Sequence, residues 1–230
     1  MIITIDGPAG AGKSTAACFL AHTLTEYSGK TFGYLDTGSL YRAIALLGLR
    51  RHVNWDAPSQ IERLVFDITL TSKKGRTLLN GEDITESVRS PEVTEKTHYV
   101  ADNPSIRSFM SSCQRNIAKL VLQDGRGIVT EGRDQGTVVF PDAPVKFFLT
   151  ATPEERAKRR FIELQESGIQ GDVNEIFLSI TKRDRQDIAR TVGALREPDN
   201  AIKIVSDGIS LEDVVNQMFQ ESMKILHNLS

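Results

Sequence analysis

The fold of this chain is decided close to its start, by the stretch Ile2-Ile3-Thr4-Ile5-Asp6-Gly7-Pro8-Ala9-Gly10-Ala11-Gly12-Lys13-Ser14. Its first four residues are β-branched and predict a strand. From Gly7 onward the sequence matches G-x-x-x-x-G-K-[ST], at a point where a strand gives way to a helix. Glycines let successive backbone N–H groups curl around phosphate oxygens, and the helix N-terminus adds a partial positive charge. The stretch therefore predicts a nucleotide-binding loop.

Individual residues of this loop have separate expected tasks. Lys13 is expected to reach the β- and γ-phosphates of ATP, and the Ser14 hydroxyl is the predicted ligand of Mg²⁺. The residues predicted to bind the nucleotide are Gly7, Pro8, Ala9, Gly10, Ala11, Gly12, Lys13, Ser14 and Thr15, together with Arg159.

Beyond the loop, short apolar runs alternate with longer segments of helical period, which is typical of an α/β sheet. Further strands are predicted at residues 32–35, 127–130, 145–149 and 201–205. Helices are predicted at residues 13–27, 38–50 and 104–122, after Thr152-Pro153, and after Ser210.

Two segments interrupt this alternation. Residues 66–84 alternate like antiparallel strands around the turn-like Lys73-Lys74-Gly75, which predicts a strand-rich insert at about residues 61–100. Residues 166–172 form a polar loop between two arginine-rich helices, which predicts a mobile lid at about residues 154–190. No linker rich in Pro or Ser separates these segments, so residues 1–230 are expected to form a single domain.

The composition is that of an ordinary globular protein. Of 230 residues, 28 are Lys or Arg and 30 are Asp or Glu, which gives a formal net charge of -2. This balance argues against a dedicated nucleic-acid or membrane-surface protein. Two cysteines without a CxxC pair fit a reducing cytoplasm, and no apolar run reaches the ~18–20 residues of a membrane span. We therefore expect a cytoplasmic monomer without nucleic-acid or membrane partners.

Charged side chains follow two predicted strands at their carboxyl ends, where open α/β sheets bind ligands. Asp36 and Arg42 follow the second strand, and Arg133 and Asp134 follow the third. Such pairs suit a phosphorylated acceptor that carries a sugar, because guanidinium groups bind phosphate and carboxylates accept from hydroxyls or amines.

A third charged group lies in the predicted lid. Arg183, Asp187 and Arg190 are spaced to share one face of a helix. Such a face can close over the phosphates, exclude water and supply cations to the transferred group.

The loop alone does not choose among a kinase, a switch and a motor. The guanine-reading N-K-x-D of GTPases is absent from the sequence, and the charge balance disfavours a nucleic-acid-binding ATPase. Another small-molecule or nucleotide kinase, and a nucleotide-binding switch without transfer activity, stay open as alternatives.

At these residues the sequence resembles the bacterial cytidylate kinase family, the (d)CMP kinases. The resemblance rests on Ile3-Thr4-Ile5-Asp6-Gly7-Pro8, Leu35-Asp36-Thr37-Gly38 with Tyr41-Arg42, Gly132-Arg133-Asp134-Gln135-Gly136-Thr137-Val138-Val139-Phe140-Pro141-Asp142-Ala143, and Arg183-Asp184 with Asp187 and Arg190. It implies a P-loop nucleoside-monophosphate-kinase-like α/β fold, with five parallel strands flanked by helices, a monophosphate-binding insert and a short lid. It also implies transfer of the ATP γ-phosphate to CMP or dCMP with Mg²⁺.

The resemblance further implies roles for individual residues. The acceptor phosphate is expected at Thr37, Arg42, Arg133 and Arg190, the pentose at Arg183 and Asp187, and cytosine at Arg107 and Asp134, with Asp36 completing the substrate site. The expected catalytic residues are Lys13, Arg133, Arg183 and Arg190. The chain departs from the family at His98, where Ser is often a further base contact, and at Gly193-Ala194-Leu195, which lacks an expected proline.

Overall fold

Eight strands and eight helices are present in the computed structural model, which describes residues 1–66, 68–73, 75–166 and 168–228. The strands are β1 (Ile2–Asp6), β2 (Phe32–Asp36), β3 (Leu70–Lys73), β4 (Arg76–Leu79), β5 (Glu82–Asp83), β6 (Gly127–Gly132), β7 (Val145–Thr150) and β8 (Ile202–Val205). The helices are α1 (Lys13–Ser28), α2 (Thr37–Arg50), α3 (Pro58–Glu62), α4 (Pro91–Ala101), α5 (Pro104–Gln123), α6 (Pro153–Glu166), α7 (Val173–Ala189) and α8 (Leu211–Asn228).

Five strands form one parallel sheet in the order β2-β6-β1-β7-β8, which confirms the predicted fold class. Ile3 and Ile5 on β1, Val129 on β6 and Phe147 on β7 are fully buried. Burial on both faces explains why these strands are apolar runs in the sequence. All five carboxyl ends lie at the same edge of the sheet, so the loops that follow β1, β2 and β6 meet there.

Glycines shape the loop that joins β1 to α1. Gly10 and Gly12 have φ angles of 77° and 83°, in the left-handed region that favours glycine. A side chain at Gly7 would overlap the carbonyl oxygen of Leu149 on β7. The loop is therefore pressed against the edge of the sheet, with the first turn of α1 directly behind it.

Helices cover both faces of the sheet and create two apolar cores. On one face α1 and α8 enclose Leu20, Leu24 and Met218. On the other face α2 and α5 pack with the insert around Ile44 and Met110. Within the described residues, no helix has both the length and the apolar character that crossing a membrane requires.

Three short antiparallel strands, β3, β4 and β5, lie where residues 66–84 alternate in the sequence. The turn residue Lys74 lies outside the described residues. The insert also contains α4, which the sequence pattern did not reveal; Ser90 caps this helix by accepting a hydrogen bond from the Val93 N–H. Trp55 packs on Tyr99 of α4 with ring centroids 5.6 Å apart, which ties the chain after α2 to the insert.

The lid region consists of α6 and α7, which pack against each other. The intervening loop is the one predicted as the lid tip; its residue Ser167 lies outside the described residues. The prediction that Arg190 shares a helical face with Arg183 and Asp187 is wrong, because α7 ends at Ala189 and Arg190 has extended backbone angles. The chain turns there so that the Leu195 N–H donates to the Asp187 carbonyl, 2.8 Å away.

Phe147 provides a direct test of the core between β7 and the helices α1 and α8. Replacing this fully buried side chain with Ala should lower the free energy of unfolding by about 3–5 kcal/mol, since both apolar contacts and filled volume are lost. Urea denaturation measures this change. Val205→Ala on β8, at a half-exposed position, is the control and should cost about 0.5 kcal/mol or less. A loss below about 1 kcal/mol for Phe147→Ala would contradict the packing.

Candidate active site

A cavity of about 710 Å³ opens at the carboxyl edge of the sheet, between the insert and the lid. Its size suits a small-molecule site. The predicted site residues that line it are Ala9, Gly10, Lys13, Ser14, Asp36, Thr37, Arg42, Arg107, Arg133, Asp134, Arg183, Asp187 and Arg190. Polar residues that line it without having been predicted include Tyr41, Thr94, Thr97, Glu131, Arg156, Arg160, Glu163 and Glu175. The other predicted nucleotide-binding residues of this segment do not line the cavity: Gly7, Pro8 and Ala11 are buried, and Gly12 and Thr15 are exposed at the start of α1.

Lys13 is buried at the floor of the cavity. Its Nζ donates to the carbonyl of Pro8, 2.7 Å away, so the ammonium group folds back against the backbone of the phosphate-binding loop. Burial, together with the nearby Arg133 guanidinium, lowers the pKa of Lys13 to about 7. An anion at this position would stabilise the ammonium form.

Ser14 and Glu131 meet beside the loop. The Ser14 hydroxyl donates to Glu131 Oε1 at 2.8 Å. Burial and the neighbouring Asp36 raise the pKa of Glu131 above its usual value. In the described part of the chain, no three His, Cys, Asp or Glu side chains are grouped as a metal site. The hydroxyl of Ser14 and the carboxylate of Glu131 are oxygen donors of the kind that Mg²⁺ binds, and this ion takes further ligands from water and phosphate, so the pair fits it.

The segment after β2 is held by its own side chains. Asp36 caps α2 by accepting from the Ser39 N–H at 2.9 Å, and Arg42 Nη2 lies 3.2 Å from Asp36 Oδ2. The Thr37 hydroxyl donates to the Glu131 carbonyl at 2.7 Å. These bonds fix the start of α2 to β6 and leave Arg42 at the cavity wall.

Asp187 bridges two arginines at the centre of the cavity. Its Oδ2 lies 2.8 Å from Arg133 Nε, and its Oδ1 lies 2.6 Å from Arg190 Nη2. Burial opposes ionisation, but Arg133 and Arg190 outweigh it and hold the pKa of Asp187 below its usual value. Burial and Arg133 lower the pKa of Arg183 to about 10, so this guanidinium is still charged at neutral pH. Arg190 also reaches Asp102, after α4, at 2.6 Å.

Arg107 and Asp134 form a second, almost fully buried ion pair, with 2.5 Å between Arg107 Nη2 and Asp134 Oδ2. Arg107 Nη1 donates to the carbonyl of Ala101 at 2.9 Å. The ring centroid of Tyr41 lies 5.3 Å from the guanidinium carbon, within the range of a cation–π contact. The pair thus presents a fixed donor next to a fixed acceptor.

Asp6 supports the site from behind. Its carboxylate accepts from the backbone N–H groups of Gln135 and Gly136, at 2.8 and 2.7 Å. Burial raises the pKa of Asp6 to about 7. These bonds anchor the π-helical turn Gln135–Val139, and with it the loop that carries Arg133 and Asp134.

Two residues singled out in the sequence lie elsewhere. Arg159 donates to Glu155 Oε1 and to Ser206 Oγ, both at 3.0 Å, and is not part of the cavity wall. His98 stacks on Tyr99 with ring centroids 4.0 Å apart, and its Nδ1 lies 2.7 Å from the Glu95 carbonyl. From α4, Thr94 and Thr97 face the cavity instead.

Among the residues that the sequence did not identify as site residues, four make contacts that hold the site together. They are Asp6, Tyr41, Asp102 and Glu131. Glu131 had a signal, since it is the acid at the end of a strand beside the loop. Asp102 had none, because its contact with Arg190 joins positions 88 residues apart in the chain.

Comparison with known proteins agrees with this architecture. The cytidylate kinase family model matches residues 3–224. The cytidylate kinase of Rhodopirellula baltica is 44% identical over 220 residues, which cover 96% of this chain and 91% of that protein. The cytidylate kinases of Caldanaerobacter subterraneus and Carboxydothermus hydrogenoformans are each 40% identical, over 96% of this chain and 94% and 96% of theirs. The chain therefore belongs to the cytidylate kinase family.

Proposed function

We propose that this protein transfers the γ-phosphate of ATP to CMP or dCMP and releases ADP with CDP or dCDP. One observation carries the proposal: a single cavity joins the phosphate-binding loop to an arginine cluster and to the buried pair of Arg107 and Asp134. The loop suits a donor triphosphate, the arginines suit an acceptor phosphate, and the buried pair suits a base with an amine.

On the donor side, the loop N–H groups and Lys13 bind the β- and γ-phosphates. Ser14 and Glu131 would hold Mg²⁺, with the hydroxyl oxygen as a direct ligand. When bound, the ion neutralises charge on the β- and γ-phosphate oxygens during transfer. Lys13 stays within the loop and stabilises the negative charge that develops between donor and acceptor.

On the acceptor side, Arg42, Arg133 and Arg190 bind the monophosphate. Arg133 and Arg190 are already partly neutralised by Asp187, and phosphate oxygens can share the remaining N–H donors. The nucleophile is an oxygen of the acceptor phosphate, so no covalent intermediate and no strong general base are needed. Catalysis then rests on positioning and charge stabilisation.

The lid contributes the pentose contacts and excludes water. Arg183 and Asp187 on α7 face the cavity and are placed to bind the sugar hydroxyls. Closing α6 and α7 over the phosphates would prevent loss of the γ-phosphate to water.

Cytosine is read by the buried pair. Arg107 occupies Oδ2 of Asp134, and Oδ1 is left to accept from the exocyclic amine, which uracil lacks. A uracil carbonyl would face the carboxylate and leave both groups without a partner, a loss of about 1–3 kcal/mol.

The proposed function includes a cellular location and an oligomeric state, a monomer in the cytoplasm. The proposed donor and acceptor sites are both built from residues of this chain, so the proposal requires no residue from a second subunit. Cys18 and Cys113 are unpaired, and Cys18 is exposed, which suits a reducing cytoplasm. The site offers no reason to invoke nucleic-acid or membrane partners.

A substrate panel tests the proposal. With Mg-ATP, the protein should form ADP rapidly with CMP and dCMP, and kcat/KM for CMP should exceed that for UMP by at least about tenfold. Asp134→Asn should narrow this ratio, because an amide can donate as well as accept. A coupled assay of ADP with CMP, dCMP, UMP, AMP and GMP measures both results. No transfer to any monophosphate would instead favour a nucleotide-binding switch.

Arg133→Ala tests the acceptor phosphate site. Loss of a charge-assisted contact should raise KM for CMP and lower kcat. The lost transition-state stabilisation of about 1.5–3 kcal/mol corresponds to a roughly 10–150-fold lower kcat/KM. Arg126→Ala is the control, since Arg126 pairs with Asp124 on the surface. Unchanged CMP kinetics for Arg133→Ala would mean that Arg133 is a structural ion-pair residue.

Lys13 makes ATP binding depend on proton uptake. Because the pKa of Lys13 is about 7 in the free protein, much of its amine is neutral at a pH of about 8. The phosphates of ATP raise this pKa, so the amine takes up a proton when ATP binds. At that pH the calorimetric enthalpy of ATP binding should therefore differ between HEPES and Tris buffers, which have different ionisation enthalpies and contain no phosphate to compete with ATP. Lys13→Arg keeps the charge without titrating and should abolish the difference. Equal enthalpies in both buffers for the wild type would refute the lowered pKa.

A further inference from the structure

The Arg107 guanidinium is packed directly against the backbone of Gly193. An added Cβ at Gly193 would overlap Nη2, Nε and Cζ of Arg107, so it would fall on the guanidinium itself. Gly193 has a φ of 66°, and its segment is fastened to the lid helix by the bond from the Leu195 N–H to the Asp187 carbonyl. The chain leaving the lid therefore lies in contact with the buried ion pair.

Tyr41 restrains the same guanidinium from α2. The Tyr41 ring centroid lies 5.3 Å from Cζ of Arg107, and Tyr41 is only 8% exposed, in the apolar core that α2 shares with α5 and the insert. The Arg107 Nε is buried and has no hydrogen-bond partner among the described residues. The position of the guanidinium is thus fixed by the hydrogen bonds of Nη1 and Nη2 and by packing against Tyr41 and Gly193.

We propose that Gly193 and Tyr41 are positioning residues for base selection, which keep the Arg107 guanidinium against Asp134 in the placement that reads a cytosine amine. The inference rests on the proposed function, because it takes Arg107 and Asp134 as the base readers. It also gives a reason for glycine at position 193. Any larger residue at 193 must displace the guanidinium or the backbone.

The test substitutes Gly193 and measures discrimination between two bases. Gly193→Ala should reduce the ratio of kcat/KM for CMP to that for UMP by about fivefold or more, through a higher KM for CMP. The reason is that a displaced Arg107 guanidinium no longer holds Asp134 in the position that binds the cytosine amine. KM for ATP should stay within about twofold, since the donor site is separate. Titration calorimetry of CMP should show the same weakening without turnover.

Gly29→Ala is the matched control for backbone strain. Gly29 has a φ of 70°, and no described atom lies within 4 Å of its added Cβ. It should lose stability through the same left-handed backbone but keep the CMP to UMP ratio of the wild type. A lowered melting temperature in both variants, with a changed ratio only in Gly193→Ala, separates positioning from general destabilisation.

Tyr41 supplies a second, independent comparison. Tyr41→Phe keeps the ring and should keep the ratio, whereas Tyr41→Leu should lower it about as much as Gly193→Ala. A wild-type ratio in both Gly193→Ala and Tyr41→Leu would overturn the inference. Failure of the proposed function is a different result, because it would show in the wild type as no CMP phosphorylation or no preference over UMP.

Discussion

The carboxylate of Asp187, buried between the guanidinium groups of Arg133 and Arg190, is the interaction on which the rest of the site depends. Lys13 and Arg183 lie in the same cavity, and the lowered pKa of each shows how strongly like charges and burial act there. A buried carboxylate shared by two arginines offsets that repulsion. It also joins α7 to the loop after β6, so the two arginines that we propose to bind the acceptor phosphate are already held in position.

A second polar layer holds this loop from the inside of the sheet. Gln135 accepts from the Thr130 hydroxyl at 2.9 Å and donates to Gln114 at 3.1 Å, while its backbone N–H is bound by Asp6. Gly136 leaves no room for a side chain between Thr4 and Pro198. Buried polar groups of this kind specify one conformation, because each would lose its partner in any other. The residues that contact substrate are thus supported by residues that do not.

The sequence predicted the elements that local rules determine. Strands with apolar runs, the glycine loop and the capped helices at Pro104 and Pro153 were found within a few residues of their observed bounds. The π-helical turn after β6 has no periodic signal, and α4 is short with a weak apolar stripe. The contacts of Asp102 with Arg190 and of Glu131 with Ser14 join distant segments, so no local pattern indicates these pairings, although the place of Glu131 at a strand end was itself a signal. The helical spacing also failed for Arg190, because α7 ends at Ala189 and the chain turns there, with the Leu195 N–H donating to the Asp187 carbonyl.

Arg156 connects the phosphate-binding loop to α7, and so connects the proposed donor side of the site to the proposed acceptor side. Its Nη1 donates to the carbonyl of Ala9 in the phosphate-binding loop at 2.9 Å, and its Nη2 lies 2.6 Å from Asp184 on α7. Asp184 precedes Asp187 by one helical turn, so a single buried guanidinium links the phosphate-binding loop to the helix that carries Asp187, the partner of Arg133 and Arg190. A reaction that proceeds by positioning needs the two phosphates at a fixed separation. In the proposed reaction, the link from Ala9 through Arg156 to Asp184 would hold that separation.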